Sequence, residues 1–120
     1  MKKLTEREDQ IMQIIWATEG IFIRDILAEL PKPTPHYNTI ATLVKILVKK
    51  GFLGSKKFGN TDRYFAIIPL EAYRKEHIME IKKKYFGNSL ANMMAHFAKQ
   101  EKLSDKEIDE LITIIKSKKA

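Results

Sequence analysis

Residues 34–50 carry the side chains whose types and spacing most clearly indicate a binding function. The stretch contains no acid. Amide and hydroxyl groups hydrogen-bond to base edges in the major groove of DNA, and lysines bind phosphates. We therefore predict a base-reading helix; the alternative is a surface helix whose polar side simply faces water. With about 100° between successive residues, the polar side carries Asn38, Thr42, Lys45 and Lys49, flanked by Thr39 and Ala41.

The opposite side of the same stretch is apolar. Thr34 is predicted to cap the helix, with Pro35 in the first turn, and Gly51 is predicted to end it in a left-handed conformation. The apolar residues recur at the three- and four-residue spacing of an amphipathic helix. They are Ile40, Leu43, Val44, Leu47 and Val48.

Positive charge is concentrated beside this helix. The 120-residue chain has a formal net charge of +7. Between residues 45 and 64 the basic residues face a single acid, Asp62, whereas many acids precede this segment. Such placement favours a nucleic-acid partner more strongly than net charge alone. The basic residues are Lys45, Lys49, Lys50, Lys56, Lys57 and Arg63.

A β-hairpin is predicted directly after the helix, with strands at 52–57 and 63–67 and a tip at 58–62. The strand segments are rich in β-prone residues and the tip contains Gly59-Asn60. A hairpin in this place is a wing, on which Lys56, Lys57 and Arg63 would contact DNA phosphates. Alternatively, lysines on an edge strand only discourage aggregation.

Two helices are predicted ahead of this segment. The first covers residues 5–18, with a Thr5–Glu8 capping box, Trp16 in the core and Gly20 as its end. A short second helix covers 24–30. Two helices leading into a polar-faced third are typical of helix-turn-helix proteins. Together with the hairpin they predict a winged-helix DNA-binding domain at 1–68.

The second half, 69–120, is predicted to form three helices with narrow apolar stripes. So small a unit buries its apolar surface poorly alone, and DNA-reading helices commonly work in two-fold pairs. We therefore predict a dimerisation domain. Its candidate dimerisation residues are Tyr73, Ile78, Ile81, Tyr85, Leu90, Met93, Met94, Phe97, Ile108, Leu111, Ile112 and Ile115.

Several function classes are excluded or disfavoured. The chain has no cysteine, so disulfides and thiolate metal sites are ruled out. His36, His77 and His96 are scattered, and no catalytic constellation is apparent. We predict no enzyme activity, no cofactor, no metal, no membrane insertion and a cytoplasmic location. The fold class is expected to be mainly α with a small β-hairpin wing.

The sequence resembles the BlaI/MecI family of penicillinase repressors. The resemblance rests on LTEREDQIMQIIW, YNTIATLVKILVKKGFL, the RYF strand and KLSDKEIDEL, and covers nearly the whole chain. It implies a winged-helix domain, a helical dimerisation domain, and a homodimer that represses transcription on palindromic operators in promoters. The base-reading positions of the family match Asn38, Thr39 and Ala41 in this sequence, with Thr42 and Lys45 further along the helix. Many family members have a basic residue where this chain has Ala41.

The resemblance also concerns regulation. In repressors of the antibiotic-resistance type, signalling from a membrane-bound sensor leads to cleavage at an Asn-Phe bond, which implies a sensor-linked protease as a partner. The matching pair here is His96-Phe97, which keeps the Phe and departs at the Asn. A copper-sensing branch uses cysteines, which this chain lacks.

Two hypotheses follow for the function. The first is a sequence-specific, dimeric DNA-binding repressor. The second is a winged-helix protein-interaction module that does not bind DNA. The second hypothesis requires an apolar outer surface on the third helix. The candidate DNA-binding residues under the first hypothesis are Thr34, Tyr37, Asn38, Thr39, Thr42, Lys45, Lys49, Lys56, Lys57 and Arg63.

Overall fold

A computed structural model describes residues 3–119, and within them it contains six helices and a three-stranded antiparallel sheet. The chain divides into two compact units, Met1–Glu76 and His77–Ala120. The elements are α1 (Glu6–Trp16), β1 (Ile21–Phe22), α2 (Ile23–Glu29), α3 (Tyr37–Lys49), β2 (Leu53–Phe58), β3 (Thr61–Ala66), α4 (Leu70–Tyr85), α5 (Leu90–Gln100) and α6 (Asp105–Lys118).

Helix α1 begins with the predicted capping box. The Thr5 hydroxyl accepts from the Glu8 amide at 3.3 Å, and the Glu8 carboxylate accepts from the Thr5 amide at 2.8 Å. The helix ends at Trp16, earlier than predicted, and Gly20 does not terminate it. The reason is that the carbonyl of Ile15 already accepts from both the amide and the hydroxyl of Thr18.

Helix α3 begins at Tyr37, so the prediction that Thr34 caps it is wrong. His36 occupies the N-cap position without a side-chain hydrogen bond. Thr34 precedes a proline, and a residue in that position is driven away from helical backbone angles. At the other end the prediction is confirmed: Gly51 follows the C-cap with a φ of +87°, a left-handed value that suits glycine.

The inner side of α3 is buried much as predicted. Ile40, Val44 and Leu47 are fully buried and Leu43 is half-buried. Val48 is an exception, with 37% of its surface exposed. At about 100° per residue, the buried arc is centred between Ile40 and Leu47, and Val48 lies at its rim.

The sheet has one strand more than the predicted hairpin. Its order is β1-β3-β2, because Ile21 pairs with Tyr64 and Phe22 with Arg63. The wing strands also run closer to the tip than predicted, leaving only Gly59-Asn60 between β2 and β3. Gly59 has a φ of +63°, which glycine adopts without steric cost in a tight hairpin turn.

Tyr73, a predicted dimerisation residue, is half-buried and packs against the core of the first unit. Its ring centroid lies 5.3 Å from that of Trp16 and 5.8 Å from that of Phe52. The Trp16 indole N–H donates to the carbonyl of Ile68 at 2.9 Å. These contacts fix the first turn of α4 against α1.

The second unit buries little of its apolar surface. Ser89 and Ser104 cap α5 and α6 through bonds to the amides of Asn92 and Glu107. Met93 packs within its own chain at 5% exposure, which places it inside the unit rather than on the predicted dimer surface. Ile81 and Leu111 are half-buried. The other candidate dimerisation residues are exposed: Ile78, Tyr85, Leu90, Met94, Phe97, Ile108, Ile112 and Ile115.

Candidate nucleic-acid interface

The outer side of α3 presents the polar residues that the sequence pattern placed there. Asn38, Thr39, Thr42, Lys45 and Lys49 are all exposed. The Thr42 hydroxyl donates to the Asn38 carbonyl at 2.9 Å, so its oxygen remains able to accept from a base or phosphate-bound water. Neither lysine has a hydrogen-bond or ion-pair partner within residues 3–119. This side can therefore accept a polyanionic ligand without breaking existing ion pairs.

The start of α3 borders a groove of about 600 Å³. The other wall is the wing tip, so the structure brings residues far apart in sequence to one place. Tyr37 is 49% exposed there, whereas Thr34 lies before the helix and outside the groove. The lining residues are Phe22, Ile23, Arg24, Tyr37, Asn38, Ala41, Lys45, Asn60, Thr61, Asp62 and Tyr64.

Tyr64 lies at the floor of this groove and is 6% exposed. Burial raises the pKa of its hydroxyl, and the neighbouring Asp62 carboxylate and Tyr37 raise it further. The phenol therefore stays protonated at neutral pH. It adds no negative charge to a groove that faces the basic side of α3.

The three basic wing residues do not share one face. Lys56 pairs in register with Arg63, and Lys57 pairs with Asp62. Successive residues of a strand point to opposite faces, so Lys56 and Arg63 lie on one face while Lys57 lies on the other with Asp62. The predicted set of three phosphate contacts is thus divided between the two sides of the wing.

Arg63 is held in place more firmly than a surface arginine. It is half-buried, and its guanidinium carbon lies 5.8 Å from the centroid of the Phe58 ring. A Cβ added to Gly20 would lie 2.6 Å from the Arg63 Nε, so a larger residue there would displace the guanidinium from its present position. The position of Arg63 is therefore set by β1 and by the wing itself.

An ion pair that the sequence did not reveal fixes the end of α3. The Lys50 ammonium lies between the two carboxylate oxygens of Glu8, which is only 2% exposed. Burial acts to raise the pKa of Glu8, but the Lys50 and Thr5 hydrogen bonds and the Lys50 charge outweigh it and lower that pKa. Because Lys50 is committed to this pair, it is not a phosphate contact. The one sequence feature that could have indicated this ion pair is Glu8 itself, an acid in the capping box of a helix whose inner side is apolar.

The described part of the chain supplies no group of three or more His, Cys, Asp or Glu side chains that could hold a metal ion. Among residues 3–119 no helix has the length and apolar character to cross a membrane.

A family model described as penicillinase repressor matches residues 4–117. The chain belongs to the penicillinase repressor family. It is 29% identical to the penicillinase repressor of Bacillus licheniformis over 99% of this chain and 96% of that protein. It is 26% identical to the methicillin resistance regulatory protein MecI of Mammaliicoccus sciuri, over 97% of this chain and 95% of that protein.

The chain also resembles a solved structure, the DNA binding domain of the repressor BlaI. The likeness has a TM-score of 0.53 at 32% identity and covers 61% of this chain and 94% of that domain. The predicted winged-helix fold is confirmed. A penicillinase repressor family member is a DNA-binding transcriptional repressor and not an enzyme, so these two predictions are confirmed as well.

The competing hypothesis of an interaction module without DNA gains no support. It requires a continuous apolar outer surface on α3. Three of its larger apolar or aromatic residues are exposed: Tyr37, Ile46 and Val48, at 49%, 38% and 37%. Tyr37 and Val48 lie at opposite ends of the helix, and at about 100° per residue Ile46 does not share a side with either, so the three form no continuous surface. Single exposed apolar residues are ordinary on protein surfaces.

Proposed function

We propose that this penicillinase repressor family member binds palindromic operators in promoters as a homodimer, with one α3 in the major groove of each half-site. The observation that carries the proposal is the exposed, acid-free polar side of α3, in which amide and hydroxyl groups are followed by unpaired lysines. Asn38 and Thr39 are assigned to base edges. Thr42, Lys45 and Lys49 are assigned to bases or phosphates further along the helix.

The wing adds contacts that do not depend on sequence. Lys56 is exposed on one face and Lys57 on the other. We assign both lysines to DNA phosphates. Arg63 is half-buried against Phe58, so we assign only the edge of its guanidinium to the DNA backbone. Tyr37 and Thr34 remain candidate contacts at the start of α3 and in the loop before it.

The second half of the chain is proposed as the dimerisation domain. The sequence predicted that it begins at residue 69, but residues 69–76 group with the first unit, so we place its start at His77. An apolar groove of about 920 Å³ lies between α5 and α6 within the second unit. Large exposed apolar surfaces mark sites of protein association. The groove is lined by Met94, Ala95, Phe97, Ala98, Glu101, Lys102, Leu103, Ile108, Leu111, Ile112 and Ile115. Filling it with the same surface of a second chain would give a two-fold dimer.

Regulation by a sensor-linked protease is a further part of the proposal. The matching bond, His96–Phe97, lies inside α5, and the rings of both residues are near that of Phe86, at 5.4 and 6.2 Å. A protease would reach this bond only after α5 opens locally. A promoter-binding protein works beside the chromosome, which supports a cytoplasmic location.

Binding to DNA fragments tests the proposal. The promoter region of the protein's own gene and a random fragment of equal length are titrated by gel shift at several salt concentrations. We expect tighter binding to the promoter fragment, a steep loss of affinity with salt because phosphate contacts release counterions, and two chains per operator by sedimentation. Equal affinity for both fragments, or a bound monomer, would contradict it.

A further inference from the structure

The groove beside α3 contains a residue that sequence reasoning left without a role. Arg24 lies on α2, a helix that the sequence pattern made part of a helix-turn-helix without assigning any of its residues to DNA. In the folded chain Arg24 is exposed and lines the same groove as Asn38 and Lys45. The tertiary fold, and not sequence proximity, therefore brings this arginine to the base-reading helix.

The charges of the groove favour an anion. Arg24 and Lys45 come from different helices, and neither has an ion-pair partner among residues 3–119. Asp62 is the one acid among the described lining residues, and it lies opposite Lys57 in the wing register. A guanidinium offers several N–H donors in a planar fork that matches a phosphate, so Arg24 is suited to a phosphodiester.

We propose that Arg24, together with Lys45, binds a phosphate of the DNA strand that borders the major groove entered by α3. The inference rests on the proposed function. A helix lying in the major groove is flanked by two sugar–phosphate strands, so a cation beside its base-reading side meets phosphate oxygens. Asn38 would read a base edge while Arg24 fixes the adjacent strand.

Replacing Arg24 tests this assignment. Arg24→Ala is compared with wild type on the promoter fragment and on the random fragment over a range of salt concentrations. We expect affinity for both fragments to fall about tenfold. The slope of log affinity against log salt should become shallower by about one. The matched control is Arg74→Ala, an exposed arginine of the first unit outside the groove, which should leave the slope unchanged.

A second variant removes a negative charge from the groove, where Arg24→Ala removes a positive one. Asp62→Asn removes the acid from the groove, and we expect tighter binding to both fragments. Urea unfolding of each variant checks that the fold is kept.

The inference is overturned if Arg24→Ala has the wild-type salt slope, or if its loss of affinity is confined to the promoter fragment, since Arg24 would then read a base. Either result leaves the proposed function standing. Failure of the proposed function is a separate result, in which wild type shows no preference for the promoter fragment at any salt concentration.

Discussion

Lys50 donates hydrogen bonds to both carboxylate oxygens of Glu8, at 2.7 and 2.9 Å, and so ties the end of α3 to the start of α1. Glu8 also closes the capping box with Thr5. One carboxylate therefore holds two helix ends. Because α3 is the proposed base-reading helix, this pair fixes its direction relative to the rest of the first unit.

Loss of this carboxylate should destabilise the chain. Glu8→Gln keeps the side-chain shape but leaves the Lys50 ammonium without its counter-charge. We expect the free energy of unfolding, measured with urea, to fall by about 1–3 kcal/mol. Glu6→Gln, an exposed position in the same helical turn, is the control and should change stability by less than about 0.5 kcal/mol. Equal effects of the two substitutions would show that the pair contributes little.

The same pair predicts a pH dependence. The pKa of Glu8 is lower in the folded chain than its ordinary value. The carboxylate therefore contributes its full stability above about pH 4.3, and this contribution is lost as pH falls through the lower folded pKa. The stability difference between wild type and Glu8→Gln should be constant near neutral pH and shrink in acid. A difference that grows as pH falls would mean that the pKa is shifted the other way.

A substitution of Tyr73 distinguishes a role in the core of the first unit from a role in dimerisation. Tyr73→Leu removes the ring that packs against Trp16 and Phe52, and we expect a loss of about 1–2 kcal/mol in unfolding free energy from the two aromatic contacts. The dimerisation constant, measured by sedimentation equilibrium, should stay at the wild-type value. A weaker dimer with unchanged stability would restore Tyr73 to the association surface.

The α5–α6 groove can be tested with two isoleucines of the same helix. Ile112 lines the groove, whereas Ile114 is 64% exposed and does not. Ile112→Asp places a charge in the proposed interface and should give a monomer at concentrations where wild type is dimeric. Ile114→Asp should remain dimeric. If both variants dissociate, or neither does, the groove is not the interface.

Much of the fold followed from local sequence patterns. The capping box at Thr5, the buried side of α3 and the left-handed Gly51 depend on residues close in sequence, and periodicity or capping preference predicts such features. The polar side of α3 was predictable for the same reason. The winged-helix arrangement was predicted from the same patterns, and the family resemblance implied the same architecture.

The features that were missed depend on long-range contacts. Ile21 and Phe22 belong to a run that is β-prone by sequence, but strand β1 is only two residues long and its pairing with β3 could not be predicted from that run. The packing of Tyr73, the Glu8–Lys50 pair and the position of Arg24 likewise join residues from different elements. Spacing within one helix cannot indicate which side a distant helix will cover.

The central claim is that the polar side of α3 reads base edges, and Asn38→Ala tests it most directly. The measurement is the ratio of affinities for the promoter fragment and the random fragment, with Asn92→Ala on α5 as the control. We predict that Asn38→Ala lowers the ratio by a factor equivalent to about 1–3 kcal/mol of binding free energy and keeps the wild-type salt slope. Asn92→Ala should change neither quantity. A ratio for Asn38→Ala equal to that of wild type would contradict the account.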